Sequence, residues 1–548
     1  MANTTKSKGN NQSDNSEFVK QAGILAAAGI ISRLIGLLYR VPLANILTDE
    51  GNGYYSTAYN VYTIVLLLSS YSIPSAISKL MAGKLEQRQY KNAQRIFYCA
   101  LIYVGAIGFV AALVLYFGAN VLVNGNASVV LRVFAPTVFI YGFLGVLRGY
   151  FQAHKTMVAT SVSQIFEQIL NAIVSLAAAS AFMRIYQEPQ YGAMGSAIGT
   201  GAGVVTALLF MLFVYMVNRK RIRARVRNDR GHYDDPTGEI FKSLLLIVTP
   251  IILSTFIYNF NITLNNRIFT EIAINVKGMA QEEAYSVFGI YSGKAVLLSD
   301  VPIAVASAMS AALIPVISAS FVRDGKKTAG GQVEVAVQTT MLISIPCAVG
   351  LFALAEPILT LLFSFSSAED LVMAVILLRM MCLSTCFYAL STVSNGILQG
   401  IGLVNKPVKN AAIALACQTV LVVVLMYVTN LGIYTLPIAY FFYAGLMSLL
   451  NQRDVGRALD CHIDFVKVYA KPGLSALIMG VAAYFVYHGI YFLFPSNILC
   501  LALAMLFAVA VYLVLLVVTG GLTVQTLYNI PKGYLLIPLL RKIGLKDE

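Results

Sequence analysis

The sequence predicts an all-α polytopic membrane protein with 14 transmembrane helices: two six-helix lobes related by an internal repeat, plus two extra C-terminal helices. Three observations predict it. Of 548 residues, 58% are hydrophobic and only 12% charged, and the mean hydropathy is +0.74. A water-soluble domain cannot cover that much apolar surface. Apolar runs of the ~20 residues needed to cross hydrocarbon recur along the whole chain. Finally, residues 131–152 return in altered form at 378–399.

Residues 1–16 (MANTTKSKGNNQSDNS) are polar and are read as a disordered cytoplasmic tail. They lack the basic start, short apolar core and small-residue cleavage site of a signal peptide, so the first span stays uncleaved. The apolar runs then place spans at 20–47, 54–78, 96–117, 128–147, 157–183 and 192–217 in the first half. In the second half they fall at 243–268, 284–318, 333–363, 370–400, 408–429 and 431–450, with a last pair at 473–494 and 497–519. The eighth is longer than the hydrocarbon is thick, which implies tilt or a helix running on into the cytoplasm.

Basic residues set the orientation, because they hold loops on the cytoplasmic side. The segments before odd-numbered spans, with the C-terminal tail, contain 31 of the 39 Lys and Arg. The opposite loops ("TDEGNG", "NGNAS", "SSAED", "PSN") are short and acidic or neutral. Both termini are therefore expected in the cytoplasm. The expected organisation is an N-lobe with a basic linker at 17–230, a C-lobe at 231–460, and the last two spans and tail at 461–548.

The repeat aligns Leu131, Arg132, Tyr141, Val146, Gly149 and Gln152 with Leu378, Arg379, Tyr388, Val393, Gly396 and Gln399. Ile73-Pro74 similarly returns as Ile314-Pro315. With six spans in each half, the repeats share one topology and are related by an axis along the membrane normal. Two such lobes enclosing a cavity is the plan of many alternating-access transporters. Duplications also build membrane scaffolds that move nothing, so the charged residues must decide.

Eight basic residues lie outside the cytoplasmic set. Lys277 falls in an outer loop, and Arg132, Arg184, Arg267 and Arg379 lie near outer helix ends, where long side chains reach water. Arg33, Arg40 and Lys294 sit deeper. Gly29, Arg33, Gly36 and Arg40 share one stripe of the first span, with the two arginines ~10 Å apart along the axis. Such a stripe cannot face lipid and must meet water or an anion. Lys294 lies ~15 Å into the eighth span, followed by Asp300 and the helix-disturbing Pro302.

Glu167 and Asp300 are the carboxylates near mid-membrane, two against three cations, and the surplus positive charge favours an anionic substrate. Arginine suits phosphate because its planar fork grips two oxygens and never deprotonates. The candidate substrate-binding residues are thus Arg33, Arg40 and Lys294, with Arg267 a fourth. Glu167 and Asp300 are candidates for coupling to a proton or sodium ion, or for plain charge pairing.

Other chemistries find little support. No phosphate-binding P-loop is present ("DGKKT" lacks its upstream glycine), and neither HExxH nor GxSxG occurs. The four histidines are scattered, the seven cysteines have no zinc spacing, and no resident cofactor or metal is expected. Asp49-Glu50 could suggest a membrane glycosyltransferase using polyprenyl-phosphate sugars, but about six residues between spans are too few for an active-site loop. The run "RKRIRARVRNDR" at 219–230 reads as a topology anchor that touches anionic headgroups and marks the hinge between lobes, not as a nucleic-acid site.

"ISRLIGLLYRV", "PSAISKLMAGK", "LRGYFQAHKTM" and "SQIFEQI" together resemble the multidrug/oligosaccharidyl-lipid/polysaccharide exporter superfamily, in its branch of bacterial lipid II flippases and stage V sporulation protein B-like proteins. The resemblance covers all fourteen spans. It implies a V-shaped pair of lobes in the bacterial cell membrane, a cationic cavity for a polyprenyl pyrophosphate-linked sugar, and a groove along the charge-free last two spans for the polyprenyl tail. The cargo so implied is the peptidoglycan precursor lipid II, handled by a monomer. The family's Ser-Arg arginine corresponds to Arg33, whereas Arg40 falls one position beyond the second family arginine. Asn52 stands where proteobacterial flippases have an aspartate, so a mechanism using that acid does not transfer. Drug exporters of the same superfamily, with twelve helices and mostly cationic cargo, are the alternative.

Overall fold

The computed structural model describes residues 4–71, 73–229, 236–461 and 463–522, with a few residues beyond; within these some side chains, among them most of 247–258 and 308–319, are not described. The described residues are helical throughout, without a strand. Contacts divide the chain into two compact units, Met1–Arg267 with Ala280–Gly289 and Ile268–Met279 with Ile290–Glu548. The division falls inside the seventh predicted span, not in the basic linker at 219–230 where the sequence puts the hinge. The reason is local: Ile240 and Leu244 are buried in the first unit's core, and Asn266 donates to the Thr57 hydroxyl of the same unit at 2.9 Å.

The first unit contains α1 (Thr4–Leu66), α2 (Ile73–Glu86), α3 (Tyr90–Phe117), α4 (Ala119–Leu122), α5 (Ala127–Ala153), α6 (Val158–Tyr186) and α7 (Pro189–Arg227). Most of α8 (Thr237–Asn275) and α9 (Gln281–Ile290) belong with it. The second holds α10 (Leu297–Asp324), α11 (Lys326–Ala353), α12 (Ala355–Leu362), α13 (Ala368–Gly400), α14 (Asn405–Val428), α15 (Thr435–Leu459), α16 (Lys471–Leu493) and α17 (Asn497–Val518). Among the described residues, twelve stretches are long and apolar enough to cross a membrane. The first of these, Ala27–Glu86, is 60 residues long and is bent; the seventh predicted span falls in α8, where several side chains lie outside the described residues.

α1 begins at Thr4, inside the polar leader, which holds one glycine and no proline. At the polar segment "TDEGNG" α1 consists of two helices that meet in a kink at Thr48 (φ 63°, ψ 175°), where the sequence separates the first two spans; that conformation costs a non-glycine residue about 1–3 kcal/mol. Asn52 offsets the lost backbone hydrogen bonds: its amide donates to the carbonyls of Ala44 at 2.8 Å and Thr48 at 2.7 Å. Asn52→Ala is therefore expected to lower unfolding stability by about 1–3 kcal/mol, the cost of leaving buried carbonyls unpaired. Thermal unfolding in detergent measures it, and an unchanged midpoint would contradict the bracing role.

Small residues set the helix spacing. Gly195, Gly199 and Gly203 recur every fourth residue on α7, and a Cβ on Gly195 or Gly203 would come within 2.6 Å of Ala178 or 2.5 Å of the Glu167 carbonyl on α6. This is the small-xxx-small contact of membrane helices, and it lets Ser175 bond the Ser196 carbonyl across the interface at 3.1 Å. On α5, the repeated Gly149 meets Pro74: a Cβ there would lie 2.8 Å from the Pro74 carbonyl. Two preserved pieces of the repeat thus touch in the first unit, whereas the side chain of Pro315 lies outside the described residues.

The duplication is also visible in packing. α5 is surrounded by α2, α3 and α7, and its counterpart α13 by α10, α11 and α15. The extra pair α16 and α17 packs on α11 and α12, where Tyr512 donates to the Leu342 carbonyl at 2.9 Å and Asn497 to the Pro357 carbonyl at 3.1 Å. Its other faces expose Leu477, Phe485, Leu506 and Val518, as lipid contact requires.

Candidate functional site

α1 carries the arginine stripe. Arg33 is exposed and, among the described residues, has neither an ion pair nor a hydrogen bond. The space above neighbouring Gly29 is open to at least 4 Å, and a Cβ on Gly36 would touch only the Gln168 amide of α6, at 3.3 Å. The backbone beside Arg33 is thus accessible to a ligand. Arg40 is half-buried, its guanidinium 5.4 Å from the centre of the Tyr59 ring, which belongs to a cluster with Tyr55, Tyr62 and Phe134. The adjacent Tyr39 hydroxyl accepts from Asn171 at 3.2 Å and ties α1 to α6. Arg33 and Arg40 therefore differ in setting, one facing open space and the other held against an aromatic wall.

Glu167 is not the partner of either. It accepts from Arg148 at 2.7 Å, and Arg148 also donates to Ser163 at 3.0 Å, with both side chains of the ion pair largely shielded. Arg148 falls just past the predicted span 128–147, among the basic residues expected on the cytoplasmic side, but α5 continues to Ala153 and buries it. A usable signal existed: the repeat aligns Arg148 with Asn395, a polar residue at the same position of both halves.

Arg267 is half-buried and donates to the Leu122 carbonyl at 3.3 Å and Asn124 at 3.1 Å, so it fastens α8 to the α4–α5 turn. In this structure its known partners are protein atoms, and it is a clamp between helices.

In the second unit, residues Tyr291–Val296 wind as a π-helical segment between α9 and α10. Such segments mark many functional sites. Lys294 lies within it, only 1% exposed, donating to the Ser364 carbonyl at 2.8 Å and sitting 3.9 Å from the centre of the Phe365 ring. The expected water-facing cation is here enclosed, because the wider π turn directs it inward to an acceptor and an aromatic face. In a background lacking the seven native cysteines, Lys294→Cys should react with a membrane-impermeant thiol reagent at least ~10-fold more slowly than Arg33→Cys. Equal rates would return Lys294 to an aqueous path. Asp300, six residues beyond, is half-buried and lies near Tyr291, Tyr388 and Tyr440. The rings of Tyr388 and Tyr440 stack at 5.0 Å. Tyr388 is the repeat partner of Tyr141, which neighbours Tyr62 in the first unit, as does Glu167.

Among the described residues no group of three His, Cys, Asp or Glu is placed to hold a metal ion. The arrangement instead provides an exposed membrane-embedded arginine, a second arginine a few turns away, and carboxylates engaged elsewhere.

Comparisons with known proteins bear on the family and the fold. The pattern of the family "Polysaccharide biosynthesis protein" matches residues 18–321, and that of MatE matches residues 296–428. Stage V sporulation protein B of Bacillus subtilis (strain 168) is 26% identical over 525 residues, 94% of this chain and 98% of that protein. Lipid II flippase MurJ of the same organism is 26% identical over 430 residues, 75% of this chain and 77% of the relative. The solved structure of Lipid II flippase MurJ in an inward closed conformation superposes with a TM-score of 0.66 at 15% identity, over 90% of this chain and 97% of that one. The chain belongs to the polysaccharide biosynthesis protein family, and with it to the multidrug/oligosaccharidyl-lipid/polysaccharide exporter superfamily of membrane flippases and transporters.

Proposed function

We propose that this flippase carries a polyprenyl diphosphate-linked saccharide from the inner to the outer leaflet by alternating access, with lipid II as the foremost cargo. The observation that carries the reading is Arg33: a permanent cation in an apolar helix, exposed and without a partner among the described residues. Such a charge cannot be left to hydrocarbon and calls for an anion or water. A sugar diphosphate has the complementary problem, since each unsatisfied polar group costs several kcal/mol in lipid. A cationic route replaces its water while the polyprenyl tail stays among acyl chains. An inside-negative potential then assists export, at about 2.3 kcal/mol per charge per 100 mV.

The names of the relatives, a lipid II flippase and a sporulation protein, support a cell-envelope precursor as cargo. Both termini are placed in the cytoplasm by the distribution of basic residues, and the working unit is taken as a monomer. A proton or sodium ion could reset the carrier through Asp300. The MatE match over 296–428 supports a second reading, export of cationic drugs. Arg33 and Arg40 weigh against it, because like charges 4 Å apart cost ~4 kcal/mol even at an effective dielectric of 20. Proteoliposomes decide: outward movement of fluorescent lipid II without movement of cationic dyes supports the flippase, and dye movement without lipid II binding overturns it.

A further inference from the structure

The run at 219–230 forms more than a topology anchor. α7 is 39 residues long, ~58 Å, nearly twice what the hydrocarbon core requires, and its last turns carry the arginines beyond the predicted end of the span at 217. Because the helix does not break there, Arg219, Arg223 and Arg227 fall on one flank at intervals of four, while Arg221 and Arg225 fall on another. The first three line a cleft of about 660 Å³ between α3 and α7. Its walls are apolar: Phe97, Tyr98, Leu101, Leu147, Leu208 and Leu212. All three arginines are exposed, and among the described residues none has an ion pair or hydrogen bond.

We propose that this cleft binds an anionic phospholipid, its phosphate held by Arg219, Arg223 and Arg227 and its acyl chain laid along the α3–α7 walls. A soluble anion would satisfy the arginines but leave Tyr98 and Leu212, 55% and 38% exposed, against water or lipid unchanged. A neutral lipid would cover those side chains but not the charges. An anionic amphiphile satisfies both, since guanidinium forks pair with phosphate oxygens and basic pockets between membrane helices select charged headgroups. The cleft volume lies in the usual range for ligand sites. The site lies wholly within the first unit and does not depend on what the flippase carries.

The chain contains no tryptophan, which makes a clean assay possible. A Tyr98→Trp reporter in the full chain, reconstituted into phosphatidylcholine vesicles with a minor fraction of brominated phosphatidylglycerol, should be quenched well beyond the bulk proportion of that lipid. A Phe465→Trp reporter, at an exposed position in the second unit, should be quenched in proportion only. Combining Arg219→Gln, Arg223→Gln and Arg227→Gln should weaken the apparent affinity about 10-fold or more. Combining Lys220→Gln, Arg221→Gln and Arg225→Gln, which removes the same charge from the same run, should leave it within about 2-fold. If the first triple fails to insert, Arg223→Gln alone should still weaken binding several-fold. Proportional quenching at Tyr98→Trp, equal loss from both triples, or stronger competition by a single-chain polyprenyl diphosphate than by phosphatidylglycerol each overturns the proposal.

Discussion

Arg33→Ala is expected to abolish outward translocation while the protein stays in the membrane at wild-type abundance. The asymmetry follows from its setting. Among the described residues Arg33 has no partner, so deleting it strands no carboxylate and relieves an unpaired charge. What disappears is a charge-assisted contact to phosphate, worth about 1.5–3 kcal/mol for each hydrogen bond, and a guanidinium can supply two. Loss of both corresponds to a fall of more than about 100-fold in transport at limiting substrate. Arg33→Lys keeps the charge but not the fork, and intermediate transport is expected. Arg40→Ala should cost less, because its guanidinium is already occupied with the Tyr59 face. The measurement is lipid II translocation in proteoliposomes at matched protein levels. Wild-type transport by Arg33→Ala would remove the basis for an anionic route along α1.

The general plan was legible because hydrophobic length and charge asymmetry are local properties of the chain. The repeat, too, could be read: six identities between 131–152 and 378–399 correspond to α5 and α13, which occupy equivalent places within their own units. Partnership between charges was not legible. Arg148 lies only five residues from the end of α5, close enough to the basic loop to be counted with it, and only the fold shows it turned to Glu167. Lys294 could not be placed from helical spacing, because a π segment shifts the register of everything beyond it. The bend at Thr48 escaped for a different reason. A polar hexapeptide between two apolar runs reads as a loop, and nothing in the sequence says that one asparagine side chain will substitute for two backbone donors.

The second large effect concerns the Arg148–Glu167 pair. Glu167→Gln preserves the shape of the side chain but leaves the shielded Arg148 guanidinium without its counterion, with neutral partners alone among the described residues. Breaking a buried pair from one side costs about 3–5 kcal/mol, since the remaining charge keeps its desolvation penalty and loses its counterion. Glu167→Gln should therefore lower the unfolding midpoint in detergent sharply and reduce membrane abundance. Combining Arg148→Met with Glu167→Leu removes both charges and retains most of the volume, and stability should return to within about 1 kcal/mol of wild type or exceed it. That double variant also separates the two roles considered for Glu167. If the carboxylate serves only to neutralise Arg148, the double variant folds and translocates lipid substrate. A folded double variant that has lost transport would assign Glu167 to ion coupling instead. The expected result is retained transport, because the Glu167 carboxylate is already engaged at 2.7 Å by the Arg148 guanidinium.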